Sequence, residues 1–296
     1  MYRRSVITDE ISQSLDDVLE VASAFSLEGL EVRSIWDTRI DRLDVGAVRR
    51  LREETERAGL VVCAVAPPFY KCDIDDPGER AEHLEILRRA IDVGQRLGTN
   101  VIRTFTFWKK GPASAVWERL IESYHEPVAV ARQLGATLAV ENEYACMIGT
   151  GSELARFVRA VSQPEVKALW DPCNAFFDES GERPFPDGYQ QVRDLTIHVH
   201  LKDARRDAAA GRPKLTPLGD GAIDVAGQLR ALVRDGYTGF VSLETHWRPD
   251  ALDAATVRLP GGQAFSEKAA VATIQCLKNW DAIQRAEGTS SGLPGR

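Results

Sequence analysis

No apolar run in these 296 residues approaches the ~20 needed to cross a bilayer. The opening Met1-Tyr2-Arg3-Arg4 leads directly into a strand-like segment. Neither a membrane span nor a signal peptide is therefore expected. Cysteine is scarce: Cys63, Cys72, Cys146, Cys173 and Cys276 are odd in number, dispersed and never in a Cys-x-x-Cys pair. That excludes a disulfide framework or a zinc ribbon and makes a reducing cytoplasm the default location. Basic residues are outnumbered, 37 Lys and Arg against 44 Asp and Glu, for a net charge of -7. Without a basic footprint for a phosphate backbone, nucleic acid is not the expected partner. A Gly-x-Gly-x-x-Gly turn after the first strand is also missing, which argues against an open dinucleotide-binding sheet.

What the chain does have is the 44% hydrophobic and 27% charged composition of an ordinary globular protein. Short β-branched runs alternate with longer amphipathic segments as far as about residue 285. Strands are expected at Ser5–Thr8, Gly29–Arg33, Val61–Ala66, Asn100–Thr104, Thr137–Glu141, Lys167–Asp171, Thr196–His200 and Phe240–Glu244. Helices are expected at Leu15–Phe25, Val45–Ala58, Gly78–Leu97, Ala113–Leu134, Ser152–Val161, Asp187–Asp194, Val225–Asp235 and Ser266–Arg285. Eight such units in roughly the ~250 residues typical of the architecture imply an α/β fold, a closed parallel (β/α)8 TIM barrel. The domain is expected to span residues 1–285, and 286–296 has the composition of a flexible tail.

Strand alternation then says which side chains point into the barrel. Val199 and Leu201 face the helices, so His198, His200 and Lys202 face inward. By the same rule Ser242, Glu244 and His246 point inward, as do Glu141 and Glu143, and Asp171 with Trp170 outward. Glu141, Asp171, His200 and Glu244 thereby converge on the C-terminal mouth, where barrel active sites are built. Three carboxylates together repel one another, and a cation is the natural compensation. An oxygen-rich set with one imidazole suits a catalytic divalent ion, manganese first, with magnesium, cobalt or zinc as alternatives.

Several motifs carry a resemblance. Val140-Glu141-Asn142, Trp170-Asp171-Pro172-x-Asn174, His198-Val199-His200-Leu201-Lys202-Asp203, Pro217-Leu218-Gly219-Asp220-Gly221 and Ser242-Leu243-Glu244 stand in order, after Thr8-Asp9-Glu10-Ile11-Ser12 and Gly29-Leu30-Glu31-Val32-Arg33. The chain resembles the sugar phosphate isomerase/epimerase family of the xylose isomerase-like barrel superfamily. That resemblance implies metal ligands at Glu141, Asp171, His200 and Glu244, with Glu141 and Glu244 also exchanging the substrate proton, and Arg206 orienting a sugar. Two positions depart from its ketose epimerases: Asn174 stands where they have histidine, and Met147 where they have glutamate.

The expected activity is isomerisation or epimerisation of a keto-sugar, an inosose or a related polyol, by proton transfer through a metal-stabilised enediolate. A lyase using the same enolate chemistry is the alternative, either a keto-inositol dehydratase or the catalytic part of a C-glycoside deglycosidase with a small partner subunit. A non-enzymatic or DNA-repair barrel ranks below both, since five histidines are few for a multi-metal cluster. Assembly into a homo-oligomer is an open expectation. Further substrate contacts are expected from Lys202, His246, Asn174, Trp108 and Glu31. A salt bridge of Glu31 with Arg103, or of Lys202 with a neighbouring acid, is an equal alternative to sugar binding. Trp36, Phe69, Phe107 and Trp108 either wall a pocket or pack loops, and Cys146 and Cys173 are bystanders. The segment Asp203–Ala222, with Arg205, Arg206, Arg212 and Lys214, is a long loop that grips a phosphate or carboxylate of the substrate, forms a solvated lid or makes an oligomer contact.

Overall fold

In the computed structural model, the described residues are 1–207, 211–250, 256, 259 and 261–288. Eight parallel strands close into a barrel: β1 (Arg3–Ile7), β2 (Gly29–Val32), β5 (Val61–Val65), β6 (Val101–Thr104), β7 (Thr137–Glu141), β8 (Val166–Trp170), β9 (Thr196–Leu201) and β12 (Phe240–Leu243). Outside it, β3 (Ser34–Ile35) pairs with β4 (Thr38–Arg39), and β10 (Asp203–Asp207) with β11 (Arg212–Thr216), both antiparallel. Each expected strand is present within two residues of its expected ends. β1 pairs with both β2 and β12 and so seals the barrel. Most of the segment expected to be a tail lies outside the described residues. Among the described residues no helix is long and apolar enough to cross a membrane.

Alternation in the strands sorts the side chains into two environments. Val6, Leu30, Ile102, Val140, Trp170, Val199 and Leu243 pack outward into the buried apolar layer beneath the helices. Trp170 shows the sorting well, for its indole Nε1–H donates to Gln228 Oε1 at 2.9 Å in the helix Val225–Arg234. The residues between them, Ser5, Glu31, Arg103, Glu141, His198, His200 and Ser242, are buried as well but polar. Buried polar groups are tolerated only when paired, so the barrel interior is a hydrogen-bonded network rather than an oily plug.

Helix ends follow local chemistry. Ser14, Asp44 and Asp76 cap α1 (Leu15–Ala24), α2 (Val45–Arg57) and α3 (Pro77–Leu97) by accepting backbone N–H groups in the first turn. Thr150 and Glu153 form a reciprocal capping box that starts the helix Gly151–Val161.

Three expectations need correction. The single helix over Ala113–Leu134 is instead Trp117–Glu122 and His125–Leu134, because Pro127 is admissible only in a first turn, where its missing N–H is not needed. Helix 187–194 shrinks to Tyr189–Val192. The segment Asp203–Ala222 is no open loop, since β10 and β11 pair within it as an antiparallel ribbon. Its base is tied by the Asp203 carboxylate, which accepts from the backbone N–H of Ala204, Gly219 and Gly221 at 2.8–2.9 Å. A Cβ on Gly221 would lie 2.0 Å from Asp203 Oδ1, so the Gly-Asp-Gly run is there to let backbone approach carboxylate.

Candidate metal centre

The C-terminal ends of β7, β8, β9 and β12 bring Glu141, Asp171, His200 and Glu244 together, each at most 3% exposed. Their ligand-type atoms lie within 4.8 Å of one another. His200 Nδ1 stands 3.3 Å from Glu141 Oε1, 3.4 Å from Glu244 Oε2 and 3.9 Å from Asp171 Oδ2. The opposite ring nitrogen, Nε2, is 3.0 Å from Glu31 Oε2. Glu141 is held by Asn174, whose Nδ2 donates to its Oε1 at 3.0 Å, while Asp171 Oδ1 accepts the backbone N–H of Asn174 at 2.8 Å. Asp171 is thus both the cap of the helix Pro172–Phe177 and a member of the cluster.

Charge explains what the cluster lacks. Six buried carboxylates, on Asp9, Glu10, Glu31, Glu141, Asp171 and Glu244, share one network with four permanently charged side chains, Arg33, Arg103, Lys202 and Arg248. With the imidazoles neutral, the network among the described residues is two positive charges short. Glu141 Oε2 and His200 Nδ1 are buried without a hydrogen bond, and Asp171 Oδ2 is met only by the Lys202 ammonium. Unsatisfied acceptors beside a deficit of two charges fit a divalent cation, and the mixed oxygen and imidazole donors suit a hard or borderline one. The protonation preferences agree. Burial pushes Asp171 up to about 6, against the pull of Lys202 and with the push of Glu141 and Glu244. Burial opposes charge on His200 too, but Glu31, Glu141 and Glu244 outweigh it and raise its affinity for a proton well above the ordinary value. Protons here stand in for the missing positive charge.

Lys202 occupies the heart of this arrangement. Its Nζ is 2.6 Å from Asp171 Oδ2 and also contacts Glu244 Oε2, so it bridges two acids of the cluster. Arg103 does not meet Glu31. It reaches Glu141 at 3.5 Å and Glu244 at 3.6 Å, whereas both oxygens of Glu31 are taken by His198 and His200. Glu31 has no exposed surface, and its carboxylate is engaged by the two histidines. Asn174 is likewise buried and engaged with the acids themselves.

His246, on a left-handed backbone with φ of 45°, keeps Nδ1 3.0 Å from Glu10 Oε1 and 3.7 Å from Glu244 Oε1, so it adjoins the cluster. Arg206 is exposed on the ribbon, its guanidinium 5.3 Å above the Phe176 ring. Trp108 is 37% exposed at the rim, while Phe69 and Phe107 are fully buried on either side of Tyr70 and serve packing. Cys146 and Cys173 are buried, and burial pushes both thiols up.

Sequence reasoning marked Arg33 and Glu143 as strand-end charges but did not pair them into the outer ring of the site. Arg33 donates from Nε to Asp9 at 3.0 Å, from Nη2 to Glu10 at 3.0 Å and from Nη1 to Glu244 at 3.2 Å. Lys71 and Glu143 pair at 2.8 Å, with the Lys71 ammonium 4.2 Å over Phe105. The available signal was charge on inward strand positions, which demands partners; the partners themselves come from strands and loops far away in sequence.

Comparison with known proteins agrees with the barrel fold. The family described as xylose isomerase-like TIM barrel matches residues 19–280. An inosose dehydratase from Yersinia enterocolitica is 25% identical over 146 residues, 45% of this chain and 49% of that protein. The chain thus spans about half the length of the first curated relatives it matches. The L-ribulose-5-phosphate 3-epimerase UlaE of Escherichia coli O157:H7 is 26% identical over 227 residues, 74% of this chain and 77% of its own. In three dimensions, D-psicose 3-epimerase from Clostridium cellulolyticum H10, solved with D-tagatose, superposes with a TM-score of 0.73 at 16% identity, covering 96% of this chain and 99% of that one. With a closed eight-stranded barrel and a family match across most of its length, the chain belongs to the xylose isomerase-like TIM barrel family.

Proposed function

We propose that this protein is a divalent-metal-dependent enzyme that shifts a proton beside the carbonyl of a keto-sugar, an inosose or a related polyol. The observation that carries the reading is the buried quartet Glu141, Asp171, His200 and Glu244 with its unsatisfied donor atoms and its deficit of two charges. Those four residues would hold the ion; when bound, it supplies charge withdrawal from the substrate oxygens and so acidifies the carbon between them.

Each side chain then has a role set by its surroundings. Glu141 Oε2 has no hydrogen-bond partner, which leaves a lone pair to take the substrate proton. Burial opposes ionisation of Glu244, but Lys202, His246 and His200 outweigh it and keep its carboxylate ionised, ready to exchange a proton from the other side. Arg103, within 3.6 Å of both glutamates, holds them apart and in place. Lys202 donates toward the oxygen that gains negative charge. Arg206, His246 and Trp108 are the rim residues positioned to meet the rest of the substrate.

Dehydration is the second reading, favoured by one feature. An elimination needs an acid to protonate the departing hydroxyl, and the Lys202 ammonium beside Glu244 is such a donor. The inosose dehydratase relatives fit it, as the epimerase relatives fit the first reading.

The test is solvent deuterium incorporation, by NMR and mass spectrometry, into ketoses, keto-inositols and 3-keto-glycosides incubated with manganese-loaded protein in heavy water. Chelator-sensitive labelling with a stereoisomeric product supports epimerisation; labelling with loss of water supports the lyase. No labelling of any compound by metal-loaded protein refutes both.

A further inference from the structure

We infer that Glu31 is a positioning residue for the metal centre: anchored by His198, its carboxylate keeps a proton on His200 Nε2 and so leaves Nδ1 as the nitrogen that takes the ion. This rests on the metal-centre reading above. Glu31 comes from β2 and His200 from β9, strands that do not pair, so the contact crosses the barrel interior. His200 Nε2 lies 3.0 and 3.2 Å from the two Glu31 oxygens, and His198 Nε2 lies 2.9 Å from Oε2. An ionised carboxylate only accepts, so both Nε2 atoms carry hydrogen.

Below Glu31 every proton finds an acceptor. His198 Nε2–H is shared with Ser242 Oγ at 2.8 Å; the Ser242 hydroxyl donates to Ser5 Oγ at 2.8 Å; the Ser5 hydroxyl donates to the Val241 carbonyl at 3.1 Å. This chain locks the carboxylate from beneath. Above it, His200 Nδ1 is buried, lacks a hydrogen-bond partner and faces Glu141, Asp171 and Glu244. A metal-ligating imidazole whose other N–H is held by a carboxylate is turned and made more basic by that contact, and loss of such a partner typically lowers metal affinity by roughly 10–100-fold. His198, two residues earlier on the same strand and chemically identical, differs in what it does, for it holds Glu31 and takes no ion.

The experiment uses the full chain labelled with 15N-histidine and loaded with 113Cd. The expected result is scalar coupling of 113Cd to His200 Nδ1, with Nε2 protonated and no coupling to His198. In parallel, calorimetric Co2+ titration of Glu31→Gln is expected to show about a 10–100-fold loss of affinity, partly recovered in Glu31→Asp, which keeps an acceptor-only group. Coupling through Nε2 of His200, coupling to His198, or unchanged Co2+ affinity in a folded Glu31→Gln protein overturns the assignment. If that variant fails to fold, the coupling measured on the unaltered chain decides by itself. Absence of any Cd2+ or Co2+ binding to the unaltered chain would instead overturn the metal centre, and the assignment with it. That outcome is distinct from binding through the wrong nitrogen.

Discussion

Replacing Lys202 with methionine separates the two ways this site can be neutralised. The Lys202 ammonium bridges Asp171 and Glu244, and its side chain is only 8% exposed, so solvent screens the pairs little. Removing one partner of a buried ion pair strands the other charge, at ~3–5 kcal/mol. Unfolding entropy near ~2.1 cal/mol/K per residue, over 296 residues, comes to ~0.6 kcal/mol/K, so Tm in chelator should fall by ~5–8 °C. Manganese should reverse the loss, because the ion and the ammonium seek the same two carboxylates. At a hundredfold excess over Kd a bound ligand adds ~2.7 kcal/mol, or ~4 °C in the unaltered chain. The increment should be larger in Lys202→Met, whose vacated acids bind manganese more tightly. Scanning calorimetry of both proteins, with chelator and with saturating manganese, measures all four values. Equal Tm values in chelator, or weaker manganese binding by the variant, would refute the view that Lys202 competes with the ion.

Glu244→Gln should retain a cooperative melt yet lower the rate of solvent deuterium exchange by ~10²–10⁴-fold, the range of a lost general acid or base; exchange at the unaltered rate would remove Glu244 from proton transfer. Metal affinity should rise with pH. Asp171, raised by burial to about 6, must lose its proton to bind, and His200, also raised, must lose one as well. Calorimetry in buffers of different ionisation enthalpy should therefore show more protons released per ion at pH 5 than at pH 8, and pH-independent release would contradict this. For the metal-free protein the sign reverses. A carboxyl whose folded pKa is raised contributes stability that is full below the ordinary 3.8 and is lost as pH rises through about 6, so the Asp171→Asn variant should flatten that part of the Tm profile. Gly221→Ala would push a Cβ to 2.0 Å from Asp203 Oδ1 and should destabilise by about 1–3 kcal/mol, read as a lower Tm by calorimetry.

The barrel and the inward set of its strands were legible in the sequence for one physical reason: a strand repeats every two residues, and apolar positions such as Val199, Leu201, Val241 and Leu243 reveal which face meets the helices. The residues between them must then point inward, and Glu141, Asp171, His200 and Glu244 do so at matching depths along neighbouring strands. Pairing was not legible. Arg33 and Glu244 are 211 residues apart, Glu31 and His200 169, and Lys202 and Glu244 42. Each depends on the register in which the strands close and on which rotamers the enclosed charges adopt to satisfy one another. Sequence marked Glu31 as a charge in need of a partner; only the closed barrel, by setting β2 across from β9, decided that the partners are two histidines and not Arg103.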